Sequence, residues 1–199
     1  NQKRPISELF FSLYPNAFRK DAKIKPIYDE YFIDAYPNGE SYGKIDILEC
    51  KSEGKTLKFN VEGVDENILR VELDGKLESG AEKQVFIKFK VVMPNCLHRF
   101  GYGENTINLT GFYPILCEEY NGEIYKSVYY PSGDPFYSSC ANYTVSLTLP
   151  SKYVVASSLS PTKTECMGFT TKYTYTRKSV RDIAFVLSEK FNVLKDEVD

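Results

Sequence analysis

The single histidine and a nearby cysteine are the first candidates for chemistry in this sequence. His98 lies two residues after Cys96, and a thiol beside an imidazole is the usual pairing of a cysteine nucleophile with its base. On a strand the two side chains would share one face. No third group that would orient the imidazole is recognisable, and neither is an oxyanion hole. We therefore expect His98 to cap a loop or pair with a carboxylate.

Paired carboxylates are the second candidate, because a glycosidase needs two of them flanking the scissile bond. Glu118 and Glu119 are adjacent, and Glu104 lies in the run Arg99–Pro114, which is rich in glycine and aromatic residues. Adjacent strand residues point to opposite faces, and glutamates in turns are mostly solvated. We interpret these carboxylates as surface groups. Gly101-Tyr-Gly103 is not followed by a helical pattern, so it predicts no phosphate site.

Metal binding and a disulfide framework are disfavoured by the spacing of the cysteines. The five cysteines contain no C-x-x-C pair, and no H-E-x-x-H occurs in the sequence; they are Cys50, Cys96, Cys117, Cys140 and Cys166. An odd, scattered set favours free buried thiols, although one or two bridges stay open. We expect no metal site and no bound cofactor in this chain.

The overall composition is that of a globular domain and excludes several classes of protein. In the 199 residues, 25 basic and 27 acidic side chains give a net charge of −2, which argues against a nucleic-acid partner. No apolar run approaches the roughly 20 residues needed to cross a bilayer. The first residues have a basic start but no apolar segment behind it, so no signal peptide is visible. None of these features assigns a compartment.

Period-2 alternation of apolar and polar residues predicts strands along most of the chain. Turn signals such as Glu53-Gly54, Asp74-Gly75 and Asn121-Gly122 separate the strands at short intervals. This pattern predicts an all-β fold, a sandwich or saddle-like set of antiparallel sheets. The predicted strands are Ile6–Tyr14, Lys44–Lys51, Thr56–Val61, Leu69–Leu73, Val85–Met93, Asn142–Leu149, Phe169–Thr176 and Ile183–Leu187.

Only one short helix is predicted, over Pro26–Ala35, where apolar residues recur at i+4 and proline suits the first turn. The strand that begins at Ile6 has the composition of a central strand, yet almost nothing precedes it. We therefore expect a single domain over residues 1–199 that lacks its first strands.

Several motifs, taken together and in order, resemble one family of proteins. The chain resembles the N-terminal β domain of bacterial zinc metallopeptidases of the aminopeptidase N family, the gluzincins, over nearly its whole length. The motifs are Leu13-Tyr-Pro-Asn-Ala-Phe-Arg19, Ala35-Tyr-Pro-Asn-Gly39, Arg99-Phe-Gly-Tyr102, Phe112-Tyr-Pro-Ile115, Gly133-Asp-Pro-Phe-Tyr137 and Ser179-Val-Arg-Asp-Ile-Ala-Phe-Val186.

The resemblance implies a saddle of β-sheets that packs on a thermolysin-like catalytic domain, which follows in sequence and holds the zinc. This chain would then be non-catalytic and would line the cleft for peptide N-termini. In the family, a loop of this domain offers a glutamine or glutamate to the substrate's free α-amino group. The corresponding region is Gly101–Pro114. Its candidate substrate-binding residues are Tyr102, Glu104, Asn105, Asn108 and Tyr113.

Two other functions stay open on the sequence. One is a stand-alone carbohydrate-binding or adhesion sandwich that uses tyrosine-rich loops, with Tyr102 and Tyr113 as contacts. The other is an independent enzyme that uses His98 with Cys96 or Glu104.

Overall fold

The chain folds into short antiparallel strands arranged in several sheets. A computed structural model describes residues 5–126, 128–132 and 137–194. Most of the motif Gly133-Asp-Pro-Phe-Tyr137 thus lies outside the described residues. The strands are β1 Ile6–Ser12, β2 Lys44–Ser52, β3 Lys55–Thr56, β4 Phe59–Glu62, β5 Ile68–Leu77, β6 Phe86–Val92, β7 Gly101–Tyr102, β8 Ile107–Leu109, β9 Ile115–Leu116, β10 Glu119–Tyr120, β11 Glu123–Ile124, β12 Ala141–Pro150, β13 Val154–Ser157, β14 Lys163–Met167, β15 Thr170–Val180 and β16 Phe185–Ser188.

Two sheets from the N-terminal half enclose the first core. One has the strand order β4-β5-β1-β9 and the other β3-β2-β6. The alternation of apolar residues places Ile45, Leu69 and Val71 between them, each nearly excluded from water. β1 is hydrogen-bonded on both sides, to β5 and β9. The prediction of a central first strand is therefore confirmed.

Two further sheets form a second sandwich in the C-terminal half. Their strand orders are β13-β16-β8-β7 and β12-β15-β14. Tyr175, Phe185 and Leu187 fill the core between them, while the threonine-rich faces of β12 and β15 point outward. The predicted all-β fold of antiparallel sheets is thus confirmed. The remaining pair, β10 and β11, is a small hairpin.

The predicted helix Pro26–Ala35 is wrong over its first half. The structure has a 3₁₀ turn at Asp29–Tyr31 and one turn of α-helix, α1, at Phe32–Ala35. Tyr28 has an extended backbone, with φ −64° and ψ 147°. The hydroxyl of Tyr129 donates a hydrogen bond of 2.6 Å to the Pro26 carbonyl, so tertiary contacts hold this segment outside a helix. None of the helices in the described ranges combines the length and apolarity that a bilayer span requires.

Turn chemistry decides several of the strand boundaries. Glu53-Gly54 and Asn121-Gly122 have positive φ at both residues, as the tight hairpins predicted there require. The turn predicted at Asp74-Gly75 is wrong, because both residues lie inside β5. The register between β1 and β5 shifts there, and Gly75, with φ 137°, accommodates the bulge.

A second 3₁₀ helix, at Tyr14–Phe18, follows β1, so the strand ends at Ser12 and not at Tyr14 as predicted. Pro15 occupies the first turn of this buried helix, and its apolar side chains pack with Phe100 and Tyr129. This third apolar cluster joins the two sandwiches through α1 and the segment before β7.

Candidate functional site

The β7–β8 hairpin carries four of the five residues predicted to bind substrate. Gly101 begins it with φ +150°, and a Cβ there would lie 2.5 Å from the Cys96 carbonyl oxygen. This close approach lets Tyr102 exchange hydrogen bonds with the preceding segment: its N–H donates to Pro94 O at 3.0 Å and its carbonyl accepts from Cys96 N–H at 2.9 Å. The hairpin is therefore fixed in position by backbone contacts that only glycine permits.

The tip of this hairpin is solvated. Glu104 is exposed, and its nearest ionic partner is Lys190, with an Oε1–Nζ distance of 4.0 Å. Asn105 is also exposed, while the turn is closed by Gly103 N–H donating to Thr106 O at 2.9 Å. A carboxylate and an amide in water interact only weakly with a ligand unless another surface covers them.

Asn108 and Tyr113 use their polar groups inside the fold. Asn108 Nδ2 donates to the His98 carbonyl at 2.8 Å. The Tyr113 hydroxyl donates to Asp182 Oδ1 at 2.7 Å and lies 3.2 Å from the Tyr143 hydroxyl. Burial and these hydrogen bonds raise the pKa of Tyr113 well above its ordinary value. Both residues hold loops in place, and the structure does not bring Tyr113 into contact with the hairpin tip.

His98 and Cys96 do not form a catalytic dyad. The thiol of Cys96 is hydrogen-bonded to Tyr36, and burial raises its pKa to about 11, so it stays protonated at neutral pH. The His98 ring instead packs beside Phe18, with 6.3 Å between ring centroids. Burial and then the charge of Arg99 lower the pKa of His98. No described residue hydrogen-bonds to its Nδ1 atom, so the predicted cap or carboxylate contact is not made through this nitrogen.

The thiols are unbridged, as expected, but only three of the five are buried. Those are Cys50, Cys96 and Cys117, whereas Cys140 and Cys166 are exposed. Among the described residues, no group of three or more histidine, cysteine, aspartate or glutamate side chains is placed to hold a metal ion.

Glu118, which the sequence analysis interpreted as a surface group, lines a cavity beside the β10–β11 hairpin. The cavity has a volume of about 410 Å³, and its described walls are Glu118 and the exposed rings of Tyr120, Tyr125 and Tyr137. Glu118 Oε1 and Glu119 Oε2 are both shielded from water without a hydrogen-bond partner among the described residues, but Glu119 is not one of the residues that line this cavity. We call this the Glu118 cavity. A buried carboxylate oxygen without a partner is costly unless a ligand supplies one.

The β10–β11 hairpin positions the walls of this cavity. Glu118 and Tyr120 share one face of the strand because they are two residues apart. Tyr125 lies directly opposite Glu118, since its N–H donates to the Glu118 carbonyl at 2.7 Å. The sequence contained a signal for this site. The Asn121-Gly122 turn fixes the register between β10 and β11, and that register brings the Glu118 carboxylate between two tyrosines.

Two cations lie near the Glu118 cavity, and both have other contacts. Lys126 pairs with Glu62 at 3.0 Å and lies 3.7 Å from the centre of the Phe10 ring. The Arg181 guanidinium lies 6.0 Å from the centre of the Tyr137 ring. Tyrosine rings attract cations through their π faces. The cavity is therefore suited to a positively charged group that can donate hydrogen bonds to Glu118.

Comparisons with known proteins give a likeness of fold. No family model matches the chain, and no curated protein sequence matches it. Solved structures of the M1 zinc metallopeptidase from Deinococcus radiodurans do match: the enzyme with TM-score 0.54 and 10% identity, a mutant with 0.56 and 12%, and that mutant bound to a Tyr-Ser-Ala substrate with 0.55 and 14%. Each alignment covers 94% of this chain.

The chain spans only 35–36% of the length of these metallopeptidases. At such low identity the likeness establishes the fold and not the activity. The resemblance drawn from the sequence motifs is confirmed at that level: this chain has the fold of part of an M1 zinc metallopeptidase.

Proposed function

We propose that this chain is the N-terminal β domain of an aminopeptidase N-type zinc metallopeptidase, that it is not itself catalytic, and that it forms one wall of the peptide cleft. Zinc and the bond-breaking groups belong to a thermolysin-like domain of the same protein. This domain contributes shape and one recognition group. The fold likeness over 94% of the chain supports the assignment.

Glu118 is the recognition group, and it binds the free α-ammonium of the peptide. The single observation that carries this role is the shielded Glu118 Oε1, which has no hydrogen-bond partner among the described residues and lies in a cavity whose other described walls are tyrosines. A charge-assisted hydrogen bond from an ammonium is about twice as strong as a neutral one. An exopeptidase gains from such a contact because an internal peptide bond offers no ammonium at that position.

The five residues predicted from the sequence keep smaller roles in this proposal. Glu104, Asn105 and Tyr102 form a hairpin surface at the edge of the cleft. Asn108 and Tyr113 hold the adjoining loops through their contacts with His98 and Asp182. Recognition of the peptide end thus rests on a residue outside Gly101–Pro114.

The test is the kinetics of the whole protein that carries this chain. Glu118→Gln removes the negative charge and keeps the shape. Loss of a hydrogen bond to a charged group costs about 1.5–3 kcal/mol, so kcat/KM for unblocked peptides should fall by about 10- to 150-fold. The loss should appear mainly in KM, because the ammonium is bound in both the ground and transition states.

Glu123→Gln is the matched control. Glu123 lies on β11, is exposed and does not line the cavity, so its substitution should leave kcat/KM within twofold, on the order of a surface effect. Equal kinetics of the two variants would overturn the role of Glu118. Hydrolysis of aminoacyl reporters by the isolated 199-residue chain, abolished by a chelator, would overturn the non-catalytic assignment.

A further inference from the structure

A second cavity, between α1 and the segment before β7, is not explained by the proposed function. It has a volume of about 290 Å³ and includes the imidazole of His98 in its wall. We call it the His98 cavity. The volume lies at the lower end of the range for ligand sites, so the occupant is smaller than a typical drug molecule. The full wall consists of Pro26, Ile27, Tyr28, Tyr31, Asp34, Ala35, Leu97, His98 and Pro131.

The described lining of the His98 cavity carries one anionic side chain, and the Arg99 guanidinium lies outside that lining but close enough to His98 to lower its pKa. Asp34 is the one ionised side chain among its described lining residues, and it makes no ion pair or hydrogen bond with another described residue. His98 does not cancel this charge, since burial and the neighbouring Arg99 lower its pKa and keep the ring neutral. A neutral imidazole also has one nitrogen that can accept a hydrogen bond. His98 Nδ1 has no hydrogen-bond partner among the described residues.

The rest of the wall combines aromatic and aliphatic surface. Tyr28 and Tyr31 are exposed by 46% and 56%, and tyrosine rings attract cations. Ile27 and Leu97 add aliphatic surface against which a hydrocarbon stem can pack. A carboxylate without a described partner beside aromatic and aliphatic walls favours a cation that carries an apolar stem over an anion.

We infer that the His98 cavity binds a small organic cation, a primary alkylammonium, with its N–H groups directed to Asp34 and its stem against the apolar wall. The contacts are partly solvated, so the affinity is modest, with a dissociation constant in roughly the millimolar range. This inference does not depend on the proposed function.

The chain supplies a specific reporter for the test, because His98 is its only histidine. Its imidazole C–H signals in an NMR spectrum need no assignment. Titration of the protein with n-butylammonium chloride should shift these signals to saturation. n-Butanol, which has the same stem without the charge, and sodium chloride at equal ionic strength should not.

Substitutions separate specific binding from a general effect of salt. Asp34→Asn should weaken binding by about fivefold, which is the upper range for an exposed ion pair. Asp29→Asn is the matched control: Asp29 lies one turn earlier, outside the cavity, and this variant should bind as the unmodified protein does. Tyr31→Leu keeps an apolar wall but removes an aromatic ring. It should weaken the binding of n-butylammonium more than it changes any response to n-butanol.

Several results would overturn the inference. These are a non-saturating shift, an equal response to butanol and butylammonium, or equal affinities of the Asp34→Asn and Asp29→Asn proteins. Since both aspartates are exposed, the variants should fold, which a thermal melt of each confirms. Glu118→Gln should leave the titration unchanged, so failure here is distinguishable from failure of the proposed function.

Discussion

Asn16 should be the polar residue whose loss destabilises this chain most. It lies in the 3₁₀ helix after β1, where its side chain is only 2% exposed. Its Nδ2 donates to the Glu66 carbonyl at 2.6 Å, and its Oδ1 accepts from the Ile45 N–H at 2.9 Å. One amide therefore links the 3₁₀ helix, the β4–β5 turn and β2, three segments far apart in sequence.

The expected loss of stability follows from the two backbone groups that lose their partner. Asn16→Ala removes two hydrogen bonds and leaves the Ile45 N–H and the Glu66 carbonyl without these partners, at a cost of about 1–2 kcal/mol for each bond. We expect the free energy of unfolding to fall by about 2–4 kcal/mol. For a chain of this size, each kcal/mol lowers the melting temperature by about 2–4 °C.

Asn16→Asp tests the reasoning more sharply. The aspartate keeps the acceptor for the Ile45 N–H but places a carboxylate oxygen against the Glu66 carbonyl. Burial and this repulsion raise its folded-state pKa above the unfolded value, so the folded state binds the extra proton more tightly. The variant's deficit relative to the unmodified protein should therefore shrink as the pH falls through its folded-state pKa.

Urea unfolding of each variant, followed by circular dichroism at neutral and acidic pH, measures these differences. Asn60→Ala is the control, because Asn60 is an exposed residue of β4 and its loss should change stability by less than about 0.5 kcal/mol. If Asn16→Ala proved no more damaging than this control, the assigned role of the amide would be refuted.

Three further effects follow from the same structure. Gly101→Ala places a Cβ against the Cys96 carbonyl and should lower the free energy of unfolding in urea by more than about 2 kcal/mol. Gly39→Ala also changes a glycine with positive φ, but in open space, and should lower it by about 1 kcal/mol. Equal losses in the two variants would contradict the steric argument. Tyr113→Phe should cost about 1–2 kcal/mol by losing its bond to Asp182, with no change expected in the far-ultraviolet spectrum. Burial raises the pKa of Cys96 from 9.0 to about 11. The stability that the protonated thiol contributes should therefore be complete below pH 9 and be lost as the pH rises from 9 towards 11. A Cys96→Ala protein whose free energy of unfolding fell equally over this pH range would contradict this.

The strands were predicted well from the sequence where one face of the strand is buried and the other is exposed to solvent. β6, β12 and β15 follow the alternation, because side chains two apart share a face. In β2 a shift of register between Ile47 and Glu49 interrupts it. The pattern failed at Pro26–Ala35 and at Gly75, where contacts between distant segments decide the backbone. The bulge opposite β1 and the hydrogen bond from Tyr129 cannot be recognised from the residues next to them in the sequence.

The motifs that carry the resemblance also explain why fold was easier to predict than function. Asn16 and Tyr113 belong to those motifs, and the Ser179–Val186 motif contains Asp182; the structure uses their polar groups to join segments of the fold. Polar groups used in this way support the fold, whatever the fold binds. Glu118 lies outside the motifs, and its cavity depends on the register of one small hairpin. Matches to the motifs therefore predict the fold, and the claim of peptide-end recognition depends on the behaviour of Glu118 alone.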